Sequence, residues 1–260
     1  MGADMKKLIT TFFLIMMLMC IIGCCGNQDL VLDEARTYNI ATDIDSLNIR
    51  INAADLKIEY GEKFSVTSNL KNLEIDERNG TLTLKDLTKT KVLYINNPYE
   101  NAMLTIYIPE DIAFDSINIS TGAGRFMVDK LSAKRINFEF GAGDALINTL
   151  EADVFAKIEG GAGRITISNG ALNDLDIEMG IGELNLTSRL SGDCNLEMGL
   201  GASNITLIGS MYDYELDIDK GLGSISVNGK DVSDFGSSGN GSAEVEISGG
   251  IGDINVKFTE

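Results

Sequence analysis

Beyond an apolar run at its N-terminus, the chain alternates apolar and polar side chains with period two. Thr105-Ile106-Tyr107-Ile108 and Asp176-Ile177-Glu178-Met179 show the pattern. A strand places successive side chains on opposite faces, so this alternation predicts half-buried strands. No ten-residue stretch after the apolar run carries the i, i+3, i+4, i+7 stripe of an amphipathic helix. The pattern therefore predicts an all-β chain with almost no helix.

The alternation is organised by a repeat. Gly-x-Gly recurs with its first glycine at positions 122, 141, 161, 180, 199, 221 and 250. Three residues before it stand Ile119, Phe138, Ile158, Ile177, Leu196, Ile218 and Ile247. Five before it stand Ile117, Ile136, Ala156, Leu175, Cys194, Leu216 and Val245. Six after it stand Val128, Ile147, Ile167, Leu186, Ile205, Val227 and Val256. Each unit thus reads as strand, glycine corner, strand and short return. A unit of ~19–22 residues cannot bury its own apolar face, whereas stacking units at ~4.8 Å creates a continuous interior. The spacing predicts a single-domain β-solenoid over residues 37–260, regular over 117–260. The segment Leu47 to Ile58 is a degenerate copy, with Asn52 where the first glycine belongs. Asn is the residue best suited, after glycine, to a left-handed corner. Residues 61–110 break the rule and predict an N-terminal β-hairpin region. There Leu73 to Leu84 folds about Asn79-Gly80, and a strand over 102–108 ends at Pro109. The run 234–243, rich in Gly and Ser, reads as a flexible excursion.

The apolar run itself changes the picture of where the chain resides. Lys6 and Lys7 precede Leu8 to Ile22, which is too short for a comfortable membrane span and suits a secretory signal. It ends in Ile21-Ile22-Gly23-Cys24, which resembles a bacterial lipobox, where a cysteine receives diacylglycerol and becomes the mature N-terminus. The reading is a lipoprotein signal peptide over 1–23, a lipidation site at Cys24, a polar tether over 24–36, and a lipid-anchored protein on the extracytoplasmic face of the cell membrane. An ordinary signal peptide or an uncleaved anchor is the alternative.

Charge and composition then narrow the function. The net charge of -18 repels nucleic acid and anionic headgroups alike, so attachment to a membrane needs acyl chains. Histidine is absent, which removes the commonest general base and the commonest metal ligand. Gly-x-Gly as a phosphate cradle requires a following helix, and recurrence at fixed intervals marks these glycines as corners instead. Two residues before the first glycine, Glu139, Glu159, Glu178, Glu197 and Asp219 form a carboxylate stripe when stacked, with Ser120 and Ser248 at the same offset. The plain reading is a solvated face; the sharper one is a weak Ca2+ surface, although the calcium-binding nonapeptide of β-rolls is absent. Three residues after the first glycine, Arg125, Asp144, Arg164 and Glu183 alternate in sign and predict a cross-rung ion-pair ladder. Cys194 sits at an inward position and reads as an inert core thiol. Asn185 and Asn204 form sequons that a bacterial host leaves unused. The residues define no catalytic group, cofactor or assigned metal site.

In order and spacing, Leu104-Thr-Ile-Tyr-Ile-Pro109, Ile117-Asn-Ile-Ser-Thr-Gly-Ala-Gly124, Ile158-Glu-Gly-Gly-Ala-Gly163, Tyr212-Asp-Tyr-Glu-Leu-Asp-Ile218 and Gly249-Gly-Ile-Gly-Asp-Ile-Asn-Val256 resemble the bacterial putative-adhesin family. That family is similar to the head domain of putative autotransporter adhesins. The resemblance covers residues 36–260. It implies a β-solenoid, often lipid-anchored or encoded near envelope-stress genes, with no established catalytic residues. The expected function is a non-enzymatic binding or structural module of the bacterial cell envelope, adhesin-like in character. Its partners are membrane lipid through acylated Cys24 and an envelope protein or polysaccharide, with no nucleic acid. An accessory or sensor subunit of an envelope-stress system is one alternative. A β-helix carbohydrate-active enzyme is another, but its groove of clustered acids and bases has no counterpart in the offsets here.

Overall fold

The structure is a computed structural model that describes residues 32–41, 43–88, 101–110, 112–232, 235–239 and 241–259, with 235–238 as backbone. The signal segment, Cys24 and the tether up to residue 31 lie outside the described residues. The first strands are β1 (Arg36–Asn39), β2 (Ser46–Ala53), β3 (Asp55–Tyr60), β4 (Ser65–Ser68), β5 (Leu73–Arg78), β6 (Thr81–Asp86) and β7 (Met103–Ile108). The regular stack follows in β8 (Phe114–Ala123), β9 (Phe126–Ile167), β10 (Gly170–Asn173), β11 (Leu175–Ser191) and β12 (Asp193–Ile208). The chain closes with β13 (Tyr214–Leu222), β14 (Ile225–Val227), β15 (Lys230–Val232), β16 (Phe235–Ser238), β17 (Ala243–Ile251) and β18 (Ile254–Thr259). Among the described residues the one helical element is a 3-10 turn at Met211–Asp213.

β8 pairs in parallel with β9, β9 with β11, and β11 with β12, in the register that the glycine spacing demands: Ile119 lies beside Phe138, Ile158 beside Ile177, and Ile177 beside Leu196. Each turn has a first wall before the glycine corner, a second wall after it, and a short third wall. In the third wall β10 bridges Leu150–Ala152 and Arg189–Ser191. The apolar columns are inside, as expected: Ile119, Phe138, Ile158, Ile177, Leu196, Ile247 and Ile218 are all buried. Burying one such side chain contributes about 1.5–3 kcal/mol. Among the described residues the interior is one continuous cluster, because each side chain packs on those of the turns above and below. Phe126, Phe138 and Phe140 pack ring to ring, with centroids 5.2–5.6 Å apart.

The stacking order departs from the chain order at both ends. β2 and β3 form the degenerate turn and pair with β8 and β9 on one side. On their other side β6 pairs with β2 and β7 with β3, both in parallel, so the hairpin region supplies the outermost turn. At the far end, β17 and β18 insert between β12 and the outermost turn, β13 and β14. The first and last turns of the chain are thus each held one layer in from an end.

Each outermost turn is then covered by antiparallel strands. β5 lies on β6 and β4 on β7; β16 lies on β13 and β15 on β14. A solenoid otherwise ends in a row of unpaired peptide groups that invites other chains to add. Two-residue Asn-Gly turns join β5 to β6 and β14 to β15. Asn79 and Gly80 have φ of 52° and 74°, and Asn228 and Gly229 have 49° and 73°. This double left-handed geometry suits the twist of a tight hairpin. The Asn79 turn matches its sequence expectation. The 221-to-250 interval corrects one: residues 235–238 are not a loose excursion but an antiparallel cover on β13.

Candidate functional site

The corner decides what the surface can display. At Gly182, φ is 144°, and a Cβ would collide with the carbonyl oxygen of Gly163 in the preceding turn. Gly180 has no such φ; its requirement is close approach, since a Cβ there would lie 2.6 Å from the Gly161 oxygen. Of the two corner glycines, only the second has positive φ. Asn52 likewise needs no left-handed backbone. It stands at the end of the glycine column, where its Nδ2 donates to the carbonyl oxygens of Thr88 (2.6 Å) and Asp86 (3.3 Å). The backbone it meets there, at Asp86 and Thr88, offers acceptors to a side chain.

With both glycines stripped of side chains, the middle residue alone projects from the corner. In stack order these residues are Ala123, Ala142, Ala162, Ile181, Leu200, Ile251 and Leu222. The last four are large and solvent-facing, 47%, 37%, 53% and 69% exposed. Register sets them side by side, so four aliphatic side chains form a ridge along the corner at the ~4.8 Å rung spacing. The sequence reading passed over this ridge. Its signal was present in the middle residue of each Gly-x-Gly, which changes from Ala to Ile or Leu at residue 181.

The first wall beside the ridge is acidic. Glu139, Glu159, Glu178 and Glu197 run consecutively, but Ser248 then intervenes before Asp219, because β17 is inserted between β12 and β13. The expected five-acid stripe is therefore four plus one. The next outward column supplies Asp176, Glu246 and Asp217, and a third sets Asp193 beside Glu244. On the ridge's four turns, no Lys or Arg occupies an outward position of these columns. None of these carboxylates from Asp176 onward joins an ion pair among the described residues. Burial pushes the Glu178 carboxyl above its ordinary value; Asp176, Glu159 and Glu197 add to the rise, and Lys157 opposes it. Lys157 itself is held at 2.7 Å by Glu159. Asp176 lies in register between Lys157 and Asn195, and its Oδ1 is buried without a hydrogen-bond partner. Among the described residues no three His, Cys, Asp or Glu side chains converge as a metal site.

The second wall, across the ridge, ties several of its polar groups into ladders. Of the expected ladder the structure makes Asp144–Arg164–Glu183, at 3.8 and 3.1 Å, while Arg125 pairs with Asp55 of the neighbouring turn instead of with Asp144. Asn204 donates to Asn185 at 2.9 Å and Asn255 to Asn204 at 3.1 Å, so the two sequon asparagines belong to an amide ladder. Asp253 accepts from the backbone and hydroxyl of Ser224. Cys194 is buried, and burial pushes its thiol up, away from the reactive thiolate.

Fold and surface together define a capped parallel β-solenoid with a charged wall and an apolar edge. The chain belongs to the Toastrack DUF4097 family, whose model matches residues 38–235. No curated protein matches it. Among solved structures it is similar to a putative cell adhesion protein from Clostridium sporogenes, at 17% identity over 87% of this chain and 99% of that one, with a TM-score of 0.42. It is also similar to a putative adhesin from Parabacteroides merdae, at 14% identity over 90% and 100%, with a TM-score of 0.35. A putative lipid binding protein from Parabacteroides distasonis follows at 16% identity over 85% and 96%, with a TM-score of 0.36.

Proposed function

We propose that this protein is a non-enzymatic, adhesin-like binding module of the bacterial cell envelope, held on the extracytoplasmic face of the membrane by acyl chains on Cys24. Residues 1–23 serve as signal peptide, 24–36 as tether and 37–260 as the binding body. The observation that supports binding is the asymmetry across the corner. One wall ties several of its polar groups into ladders; the other leaves a field of carboxylates beside four exposed aliphatic side chains. A contiguous apolar row rimmed by charge is the composition of an interaction surface. The anchoring part rests on Lys6, Lys7, the apolar run and Ile21-Ile22-Gly23-Cys24.

Fractionation tests the anchor. Cys24→Ala releases the protein from the membrane fraction, because the acyl chains hold it there; wild-type retention of the variant overturns this. A photo-crosslinking residue at position 200 tests the surface in intact cells. The expected result is a discrete adduct with an envelope component that is missing when the crosslinker stands at Asn204 on the second wall. Identical patterns from the two positions refute the binding surface.

A further inference from the structure

We infer that the ridge of Ile181, Leu200, Ile251 and Leu222 docks a cationic amphipathic helix of another polypeptide, with the helix's Lys and Arg residues over the carboxylates of the first wall. This rests on the binding reading above and names the partner's chemistry.

Three features lead there. The first is pitch. Ridge side chains repeat at ~4.8 Å, whereas an extended peptide repeats its same-face side chains every ~6.7 Å and falls out of step within two or three contacts. A helix presents an apolar residue each turn of ~5.4 Å, which stays within reach of a rung over four contacts. Three rung steps span ~14 Å, the length of about ten helical residues.

The second is charge. Glu178, Glu197, Glu246, Asp217 and Asp219 flank the ridge without ion partners among the described residues. A basic flank on the guest completes them, and it strengthens and steers the encounter. The same charges oppose the two other occupants of an apolar edge. A second copy brings an identical acidic field against this one, and an anionic bilayer repels it.

The third is one-sidedness. Across the ridge Glu183 is already paired with Arg164, and Asp253 accepts two hydrogen bonds from Ser224. The unmet charge lies mainly on the first wall, with Asp253 the lone carboxylate across the ridge on these turns without an ion partner among the described residues, so the guest carries most of its cations on one flank of its apolar stripe. That fixes which way the helix rolls on the ridge.

The test uses the full-length chain and a fluorescent 18-residue peptide. The peptide has Leu at helical positions i, i+4, i+7 and i+11, Lys along one flank and Ala elsewhere. Anisotropy titration is expected to show saturable binding. The double variant Leu200→Ser, Ile251→Ser weakens it at least tenfold while the melting curve stays unchanged. Glu197→Gln with Glu246→Gln weakens it several-fold and flattens its salt dependence. A peptide of the same composition in scrambled order binds at least tenfold more weakly. Binding that ignores peptide order or the ridge variant overturns the inference. So does a self-association, or a co-sedimentation with phosphatidylglycerol vesicles, that Leu200→Ser abolishes, since the ridge then serves another occupant. If the peptide fails while the crosslinker at position 200 still captures an envelope component absent at 204, the helix falls and the binding reading stands. If both fail, both fall.

Discussion

The two halves of the stack share one backbone and differ in surface. Up to Gly163 the corner carries alanines, and most of the neighbouring charges are tied up, Glu139 being an exception: Arg125 pairs with Asp55, Lys130 with Glu151, Lys134 with Asp115 and Lys157 with Glu159. From Gly180 onward the corner carries Ile and Leu, and the first wall carries carboxylates outside any ion pair among the described residues. Yet the glycine columns and inward aliphatic columns run through both halves unchanged. The scaffold is thus indifferent to what its corner displays. In a repeat protein each turn contacts only its neighbours, so half of the surface can diverge without cost to the other half.

The strongest way to break this comparison is at the glycines. If the halves share one backbone requirement, Gly143→Val in the first half and Gly201→Val in the second are equally damaging. Both glycines have strongly positive φ, 135° and 138°, and in both a Cβ meets the carbonyl oxygen of the preceding turn. We expect each to cost about 3 kcal/mol or more in denaturant melts. A loss confined to one half would show that the halves differ in backbone as well as surface.

The end of the column gives the next effect. Asn52 closes the glycine column of the first half by donating to Asp86 and Thr88. Asn52→Ala strands these carbonyls and should cost about 1–2 kcal/mol. Asn52→Gly restores the repeat's own residue but not the hydrogen bonds, so it should be no better than Ala. A glycine variant as stable as wild type would show that the corner, and not the cap, sets the requirement at this position.

How much of this was legible depends on whether a feature repeats. Inward columns, glycine corners and the Arg125-Asp144-Arg164-Glu183 alternation recur at fixed offsets, and each recurrence confirms the others. Stacking order is not periodic. Nothing in the offset of Gly250 says that its turn lies next to Gly199 and not next to Gly221. That placement follows from the Asn228-Gly229 reversal, which folds β15 back on β14 and leaves the gap beside β12 for the last turn. The reversal has the same Asn-Gly chemistry as Asn79-Gly80 and was readable; its consequence for order was not. The ridge was readable too, in the change from Ala to Ile or Leu between the paired glycines at residue 181. At Asn52 the residue type suggested left-handed backbone, whereas its hydrogen bonds explain it.

The ion-pair ladder sharpens the comparison at smaller scale. Arg164 bridges Asp144 and Glu183 in side chains that are roughly half exposed, 48%, 42% and 41%. Arg164→Gln should cost about 0.2–1 kcal/mol, and less in high salt. Glu197→Gln, on the unpaired wall, should instead be neutral or slightly stabilising, because it removes a like-charge neighbour of Glu178. A stability loss at Glu197 equal to that at Arg164 would reveal a structural counter-charge and deprive the wall of its open valence.

The smallest effect contrasts two glutamates on one turn, on opposite sides of the ridge. Hydrogen bonds from Asn185 and Arg164 hold the Glu183 carboxyl below its ordinary 4.5, and burial with acidic neighbours holds Glu178 above it. Folding therefore favours ionised Glu183 and protonated Glu178. Stability from Glu183 is present above pH 4.5 and is lost as pH falls through its lowered folded value. For Glu178 the sign reverses. Below pH 4.5 the carboxyl is protonated in both states and costs nothing; as pH rises through its raised folded value the fold loses stability. Glu183→Gln should thus melt below wild type at pH 7, and Glu178→Gln above it. Both differences should shrink towards zero as the melts are repeated down to pH 3. Two shifts of the same sign at pH 7 would mean that the walls on either side of the ridge are electrostatically alike.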